Sequence, residues 1–125
     1  MALRIFNTLT RRKEDFVPLV AGEVRMYVCG VTVYDLCHIG HARSAIAFDV
    51  IRRYLRFRGY RVTFIKNYTD VDDRIIRKAN EEGVAASVIS ERYIAHYQSD
   101  MASIGVAPAD VEPKATEHIP QMVAL

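Results

Sequence analysis

The distribution of apolar residues divides the chain into short strand-like stretches and longer stretches with helical spacing. Near-alternation over 24–29 and a run of β-branched and aromatic residues over 61–67 predict two strands, and residues 4–9 indicate a weaker one. A helix predicted over 41–58 separates the two stronger strands. A β-α-β unit of roughly 40 residues predicts parallel strands joined by a right-handed crossover.

The helix predicted over 41–58 has apolar residues at i, i+3, i+4, i+7 and i+8, which form one stripe expected to face the core. This stripe consists of Ala47, Val50, Ile51, Tyr54 and Leu55. Asp49 is expected to pair with Arg53 on the other face, and Gly59 to end the helix. The arginines at 52, 53, 56, 58 and 61 predict a solvated, basic helix end, with RNA contact as the alternative.

Two more helices are predicted after the second strong strand, over about 73–82 and 85–104, ended by Gly83 and Gly105. The longer helix has a stripe that is expected to lie in the core: Ile89, Tyr93, Tyr97, Met101 and Ile104.

Two segments outside these elements are assigned by their local chemistry. Residues 10–15 are basic and turn-like, which predicts a solvated connection. Thr116 is expected to cap a final helix, in which Ile119, Met122 and Val123 begin an apolar face.

Composition narrows the class of protein without identifying it. The 125 residues predict one domain, and 50% hydrophobic with 26% charged residues is ordinary for a soluble globular chain. A net charge of +2 is too small to indicate nucleic-acid binding. Two cysteines, no signal peptide and no apolar run of about 20 residues predict a cytoplasmic protein without membrane contact.

Polar residues cluster directly after both strong strands. Cys29 and Gly30 end the first strand and lead to the run His38-Ile39-Gly40-His41, and Thr69-Asp70-Val71-Asp72-Asp73 follows the second. Because ligands of open parallel sheets bind beyond the carboxyl ends of the strands, both junctions are expected to border one site.

His38 and His41 lie three residues apart in what is predicted to be the first turn of the helix. Free backbone N–H groups and the positive end of the helix dipole are found there, so imidazoles at these positions can donate hydrogen bonds to phosphate. Gly40 leaves room for a base or ribose. The spacing alone leaves open a histidine-rich helix start or a two-histidine metal site.

The wider set of motifs resembles the cysteinyl-tRNA synthetases, a family of class I aminoacyl-tRNA synthetases. The matching stretches are 7–11, 26–30, 32–35, 37–41 with the His-Ile-Gly-His signature, 67–76 and 112–116. Alternatives left open are the related cysteine ligase of mycothiol biosynthesis and a non-catalytic nucleotide- or RNA-binding half-domain.

The resemblance implies an α/β fold: residues 1–115 as the first half of a Rossmann-type, HUP-like open parallel-sheet catalytic domain, and 116–125 as a helix start leading into a missing connective insertion. It implies that ATP, with Mg²⁺, activates cysteine to cysteinyl-adenylate, and that cysteine then passes to tRNA(Cys). The full-length enzyme is expected to be a monomer. The chain alone is expected to be inactive, because the family's second signature loop and remaining zinc ligands lie later in its sequences.

The resemblance also implies roles for individual residues. His38 and His41 are expected to be catalytic, stabilising charge at the α-phosphate, and with Gly40 to bind ATP. Cys29 is expected to be one ligand of a Zn²⁺ that binds the substrate thiolate, and to hold zinc weakly or not at all without its partners. The predicted lining of the cysteine pocket is Gly30, Thr32 and Thr69.

Other polar residues at the junctions are given structural roles. Asp70 and Asp72 are able to cap the helix that begins near Asp73, and for Asp72 this role is favoured over metal binding. Cys37 is expected to be a packing residue.

Overall fold

The computed structural model describes residues 3–125. Its strands are β1 (Arg4–Asn7), β2 (Arg12–Asp15), β3 (Glu23–Thr32) and β4 (Arg61–Thr69), and its helices are α1 (Ile39–Phe57), α2 (Asp73–Glu82), α3 (Ala86–Ser103) and α4 (Ile119–Val123), with a 3₁₀ turn at Ala115–His118. The predicted β-α-β unit is present as β3, α1 and β4.

β3 and β4 pair in parallel, as predicted. A further segment, residues 111–114, runs parallel to β4 on its other side. The amide of Lys66 donates to the carbonyl of Val111 (3.1 Å), and the amide of Tyr68 donates to that of Pro113 (2.9 Å). The sheet therefore runs from β3 through β4 to residues 111–114. Within residues 3–125, no strand pairs with the other edge of β3.

The segment expected to be a solvated connection is partly a strand. β2 pairs antiparallel with β1, and Arg11, with φ 57°, lies between them. Most side chains of this hairpin are exposed, so no apolar alternation marks β2 in the sequence. The ion pair between Arg4 and Asp15 (3.4 Å) joins the two strands at its open end.

The predicted apolar stripe of α1 is on the wrong face, since of its five residues only Leu55 is buried. Val50 and Tyr54 are 58% and 44% exposed, whereas Asp49 and Arg52 are 6% and 2% exposed. Hydrophobic spacing predicts the buried face only when apolar residues occupy it. Here two charged side chains face the core and pair with each other.

Arg52 is buried because its guanidinium has partners within the fold. It pairs with Asp49 and donates to the carbonyls of Pro108 (2.7 Å) and Ala107 (3.1 Å), and it lies 5.1 Å from the ring centre of Phe64. Burial opposes ionisation of Asp49, but hydrogen bonds from Arg53 and Arg52 outweigh it and keep its pKa below the ordinary value. A buried pair of this kind is costly to break from one side.

The neighbouring arginines bind the same loop but stay exposed, so Arg52 is the residue that departs from the predicted solvated helix end. Arg53 donates to the carbonyl of Gly105 (2.9 Å), and Arg56 donates to both carboxyl oxygens of Asp110 (3.0 Å each). Asp110 in turn accepts from the amide of Phe64 (2.7 Å). These arginines anchor the loop to α1 and to the sheet, so RNA contact is not needed to explain them.

The main core lies where α2 and α3 pack beside the carboxyl half of the sheet, and it includes Val33, Tyr68, Ile75 and Ile89. The stripe predicted on α3 packs in or against this core, except for Ile104, which is 45% exposed. None of the helices within residues 3–125 has the length and apolarity needed to cross a bilayer.

Candidate active site at the carboxyl ends of β3 and β4

A β-bulge interrupts the pairing of β3 with β4. Val28 pairs with Lys66 and Val31 with Tyr68, so β3 has one residue more than β4 over this interval. The irregularity contains Cys29 and Gly30. Bulges redirect side chains and are common beside active sites. This one moves the inward-facing positions of β3 from the even to the odd residues, so that Val28 and Val31 both face the core.

Gly30 is required here by space. A Cβ atom on Gly30 would lie 1.4 Å from the carbonyl oxygen of Asn67, so any side chain would displace the backbone. The amide of Gly30 donates to Oδ1 of Asn67 (2.8 Å), and the hydroxyl of Tyr27 donates to the same oxygen (2.8 Å). Sequence reasoning gave Asn67 no role of its own, and its only signal was an amide side chain inside a β-branched and aromatic run.

Thr32 and Thr69 form the last pair of the ladder between β3 and β4, one position beyond the Val31–Tyr68 pair that follows the bulge. Oγ1 of Thr32 accepts from Arg74, and Oγ1 of Thr69 accepts from Nδ2 of Asn67, both at 3.4 Å. The three predicted pocket residues, Gly30, Thr32 and Thr69, therefore lie on adjacent strands near their carboxyl ends.

Cys29 is exposed and has a free thiol, which within residues 3–125 makes one long contact of 3.9 Å with the carbonyl oxygen of Gly30. Across residues 3–125, no three His, Cys, Asp or Glu side chains come together as a metal site would need. The described residues thus do not assemble the predicted zinc centre by themselves.

Cys37 differs from Cys29 in having a specific partner. Its Sγ donates to the carboxylate of Asp100 on α3 (3.1 Å), and the residue packs against the main core. Burial, followed by the neighbouring carboxylate, raises the pKa of the Cys37 thiol. These contacts agree with the predicted packing role.

His38 and His41 form a reciprocal cap at the start of α1. His38 is the N-cap residue, and its Nδ1 accepts from the amide of Gly40 (3.1 Å). Nδ1 of His41 accepts from the amide of His38 (3.1 Å). The two ring centres are 4.2 Å apart. Imidazoles here take the places that Ser or Thr and Glu occupy in a capping box.

This cap determines where the ring protons lie. An imidazole nitrogen that accepts a hydrogen bond carries a lone pair, so the proton available for donation is on Nε2 of each ring. Burial, the nearby His38 and Lys66 lower the pKa of His41, which favours its neutral form. Among residues 3–125 no hydrogen-bond partner is found for either Nε2. Both N–H groups are therefore available to an anion at the positive end of α1.

Gly40 is explained by the same geometry. A Cβ atom added to it would lie 2.8 Å from Cε1 of His38, so a larger residue would push the capping ring aside. Room for a ligand and room for the His38 ring are both consistent with glycine at this position.

The carboxylates after β4 are engaged inside the chain. Asp72 is the N-cap of α2, as favoured from the sequence, and accepts from the amide of Arg74 (2.9 Å). Hydrogen bonds from the Arg74 side chain and backbone lower the pKa of Asp72 to about 2. Asp70 does not cap α2. It is buried and accepts from the amide (3.0 Å) and the hydroxyl of Thr116, more than forty positions along the chain.

That contact also corrects the prediction for Thr116. It lies inside the 3₁₀ turn, whose N-cap is Lys114, while α4 begins after His118. The hydroxyl of Thr116 donates to Asp70, and this bond fastens the 3₁₀ turn to the residue that follows β4.

A cavity of about 260 Å³ lies between α1, β4, α3 and the loop after α3. Its cation, the half-buried Lys66, donates to the hydroxyl of Tyr97, and burial lowers the pKa of Lys66. Glu112 accepts from the hydroxyl of Tyr68 and the amide of Gln98, each at 3.2 Å. These polar groups are hydrogen-bonded to one another. The cavity differs in this respect from the start of α1, where the Nε2 groups have no partner within residues 3–125.

Comparison with known proteins gives the class first. The fold is similar to that of Mycobacterium tuberculosis methionyl-tRNA synthetase bound by methionyl-adenylate, with a TM-score of 0.68 and 22% identity over 74% of this chain and 18% of that one. A second structure of that synthetase in complex with methionyl-adenylate has a TM-score of 0.64 and 21% identity, over 68% and 17% of the two chains. The fold is therefore that of a portion of these class I synthetase chains.

The family is narrower than the class. Residues 15–125 match the family described as tRNA synthetases class I (C) catalytic domain, and the chain belongs to it. It is 62% identical over 123 residues to a cysteine–tRNA ligase of Geobacter sulfurreducens and 60% identical over 125 residues to that of Geotalea uraniireducens. The alignments cover 98% and 100% of this chain but 26% and 25% of those proteins, so it spans about a quarter of their length. The resemblance to cysteinyl-tRNA synthetases is confirmed.

Proposed function

We propose that the protein carrying this chain activates cysteine with ATP and transfers it to tRNA(Cys). The observation that carries the proposal is the pair of imidazoles at the start of α1, whose Nδ1 atoms are used by the helix cap while neither Nε2 has a partner within residues 3–125. The exposed Cys29 thiol at the end of β3 is the second feature that supports it. Relatives named cysteine–tRNA ligase support cysteine as the substrate, and tRNA rather than an amino sugar as the acceptor.

In the first step, a carboxylate oxygen of cysteine attacks the α-phosphorus of ATP, and the bond to the bridging oxygen breaks as pyrophosphate leaves with Mg²⁺. Nε2–H of His38 and of His41 donates to the α-phosphate oxygens, where negative charge develops. Gly40 lies against the adenosine. In the second step, a hydroxyl of the tRNA's terminal adenosine attacks the carbonyl carbon, and AMP leaves.

Cysteine would bind at the sheet edge, against Gly30, Thr32 and Thr69. Cys29 would provide one ligand to a zinc ion, with the others coming from outside the described residues. When bound, zinc holds the substrate as a thiolate, which distinguishes cysteine from serine. We assign residues 1–115 to the first half of the catalytic domain and 116–125 to the lead into a connective insertion, in a monomeric cytoplasmic enzyme.

The two cysteines offer a matched test in the product of the complete reading frame that encodes this chain. We expect Cys29→Ser to abolish most cysteine-dependent exchange of pyrophosphate into ATP and to lower the zinc content. Cys37→Ser, which replaces the thiol that donates to Asp100 by another donor, should retain both. No cysteine-dependent exchange by the unmodified protein, or equal exchange by the two variants, would refute the proposal.

A further inference from the structure

Asn67 joins two of the residues that border the proposed cysteine pocket, Gly30 and Thr69. Its Oδ1 accepts from the amide of Gly30 and from the hydroxyl of Tyr27, at 2.8 Å each. Its Nδ2 donates to Oγ1 of Thr69 (3.4 Å). One side chain on β4 therefore ties the bulge of β3 to the threonine that ends β4.

The orientation of this amide follows from its partners. A backbone N–H can only donate, so the group that faces Gly30 must be the carbonyl oxygen of Asn67. Nδ2 is then directed to Thr69, whose hydroxyl accepts. Asn67 is half-buried, and it bonds to two residues of β3 and one of β4. These three bonds fix its rotamer and the orientation of its side-chain amide.

The bulge depends on this arrangement. Gly30 cannot carry a side chain against the Asn67 backbone, and its amide, displaced from the regular ladder, finds its acceptor in the Asn67 side chain. Without that acceptor, the partly buried N–H of Gly30 would be left unpaired, which would destabilise this conformation of the bulge. Cys29 is the residue next to that amide, so its direction follows from the bulge.

We propose that Asn67 is a positioning residue for cysteine binding, which sets the bulge at Cys29–Gly30 and the hydroxyl of Thr69 in the geometry that receives the substrate. This inference rests on the proposed function. Asn67 has no described contact with the cap of α1 at His38 and His41. Its effect is therefore confined to the amino acid and does not extend to ATP.

The test uses the product of the complete reading frame, with Asn67→Ala and, as matched control, Asn80→Ala, which removes an exposed asparagine on α2. We expect Asn67→Ala to raise KM for cysteine about tenfold in pyrophosphate exchange, as loss of one to two net hydrogen bonds would. KM for ATP and the melting temperature should stay near those of the control. Calorimetry should show the same tenfold loss in cysteine binding without ATP.

A milder variant tests the mechanism more finely. Tyr27→Phe keeps the ring and removes one of the two bonds to Oδ1 of Asn67, so KM for cysteine should rise by about twofold to threefold. The order Asn67→Ala, Tyr27→Phe, Asn80→Ala is the expected ranking. A purely structural role would move the melting temperature and both KM values together, and this result would overturn the inference.

The two proposals fail in different ways. An unmodified protein without cysteine-dependent exchange would refute the proposed function. An active unmodified protein whose Asn67→Ala variant keeps its KM for cysteine would refute only the role of Asn67.

Discussion

The two polar junctions at the carboxyl ends of β3 and β4 differ in how their polar atoms are used. At the first, backbone amides occupy Nδ1 of His38 and His41, while no partner within residues 3–125 is found for either Nε2. At the second, the carboxylates of Asp70 and Asp72 accept from Thr116 and Arg74.

The difference separates atoms that hold the fold from atoms available to a ligand. Carboxylates that accept from backbone and side-chain donors fasten α2 and the last turn to the sheet. Imidazoles that use one nitrogen for the helix cap keep the other for an anion, at the end of α1 where the dipole favours negative charge. Polar residues at a strand end can therefore be assigned to the fold or to a ligand according to which of their polar atoms already have a partner.

The largest effect is expected from the first junction. In the product of the complete reading frame, His38→Ala should lower kcat for pyrophosphate exchange by about 10² to 10³, because a donor to the developing charge is lost. His41→Ala should have an effect of similar size. The rates are measured at saturating cysteine and ATP.

His38→Asn is the control that separates capping from catalysis. Asparagine is among the best N-cap residues, so this variant should restore the start of α1 and the melting temperature. It should not restore kcat. A rate close to that of the unmodified enzyme would mean that His38 serves only as a cap, and the contrast between the junctions would disappear.

A smaller, local effect is expected from the second junction. Asp70→Ala leaves the amide and hydroxyl of Thr116 without their acceptor, at a cost of about 1–3 kcal/mol for local opening. Hydrogen–deuterium exchange in peptides covering 114–118 should be faster by about fivefold to 100-fold. Asp73→Ala, which removes an exposed carboxylate on α2, is the matched control and should leave that exchange unchanged. Equal protection in both variants would show that Asp70 does not hold the turn.

The smallest effect is a titration. Because Arg74 lowers the pKa of Asp72 from 3.8 to about 2, the cap stabilises α2 above pH 3.8, and this stabilisation is lost as the pH falls through about 2. Carboxyl-carbon NMR of the 125-residue chain should show this midpoint. Arg74→Ala should move the midpoint back toward 3.8. If the midpoint does not change on this substitution, Arg74 is not the cause of the lowered pKa of Asp72.

Much of the fold was predictable because its determinants are local. The spacing on α3, the glycines that end helices and the cap at Asp72 each depend on residues within a few positions. β2 was missed because its side chains are mostly exposed, so its sequence lacks the alternation that marks a half-buried strand.

The α1 error has a different origin. Asp49 and Arg52 could be placed inside only by knowing that the carbonyls of residues 107 and 108 would meet the guanidinium. Those carbonyls lie 55 and 56 positions from Arg52 along the chain. Periodicity contains no information about such a partner, and it therefore assigned the exposed Val50 and Tyr54 to the core.

For the candidate site, the sequence by itself determined the β-α-β order, the motif at the start of α1 and the resemblance to one synthetase family, since these depend on residue type and short-range spacing. Only the tertiary structure decided that His38 and His41 cap each other's backbone and that Asp70 binds Thr116. It alone placed Asn67 against the bulge beside Cys29. Apart from the histidine cap, these contacts join residues about 40 positions apart, and a hydrogen bond over that distance exists only once the strands have paired.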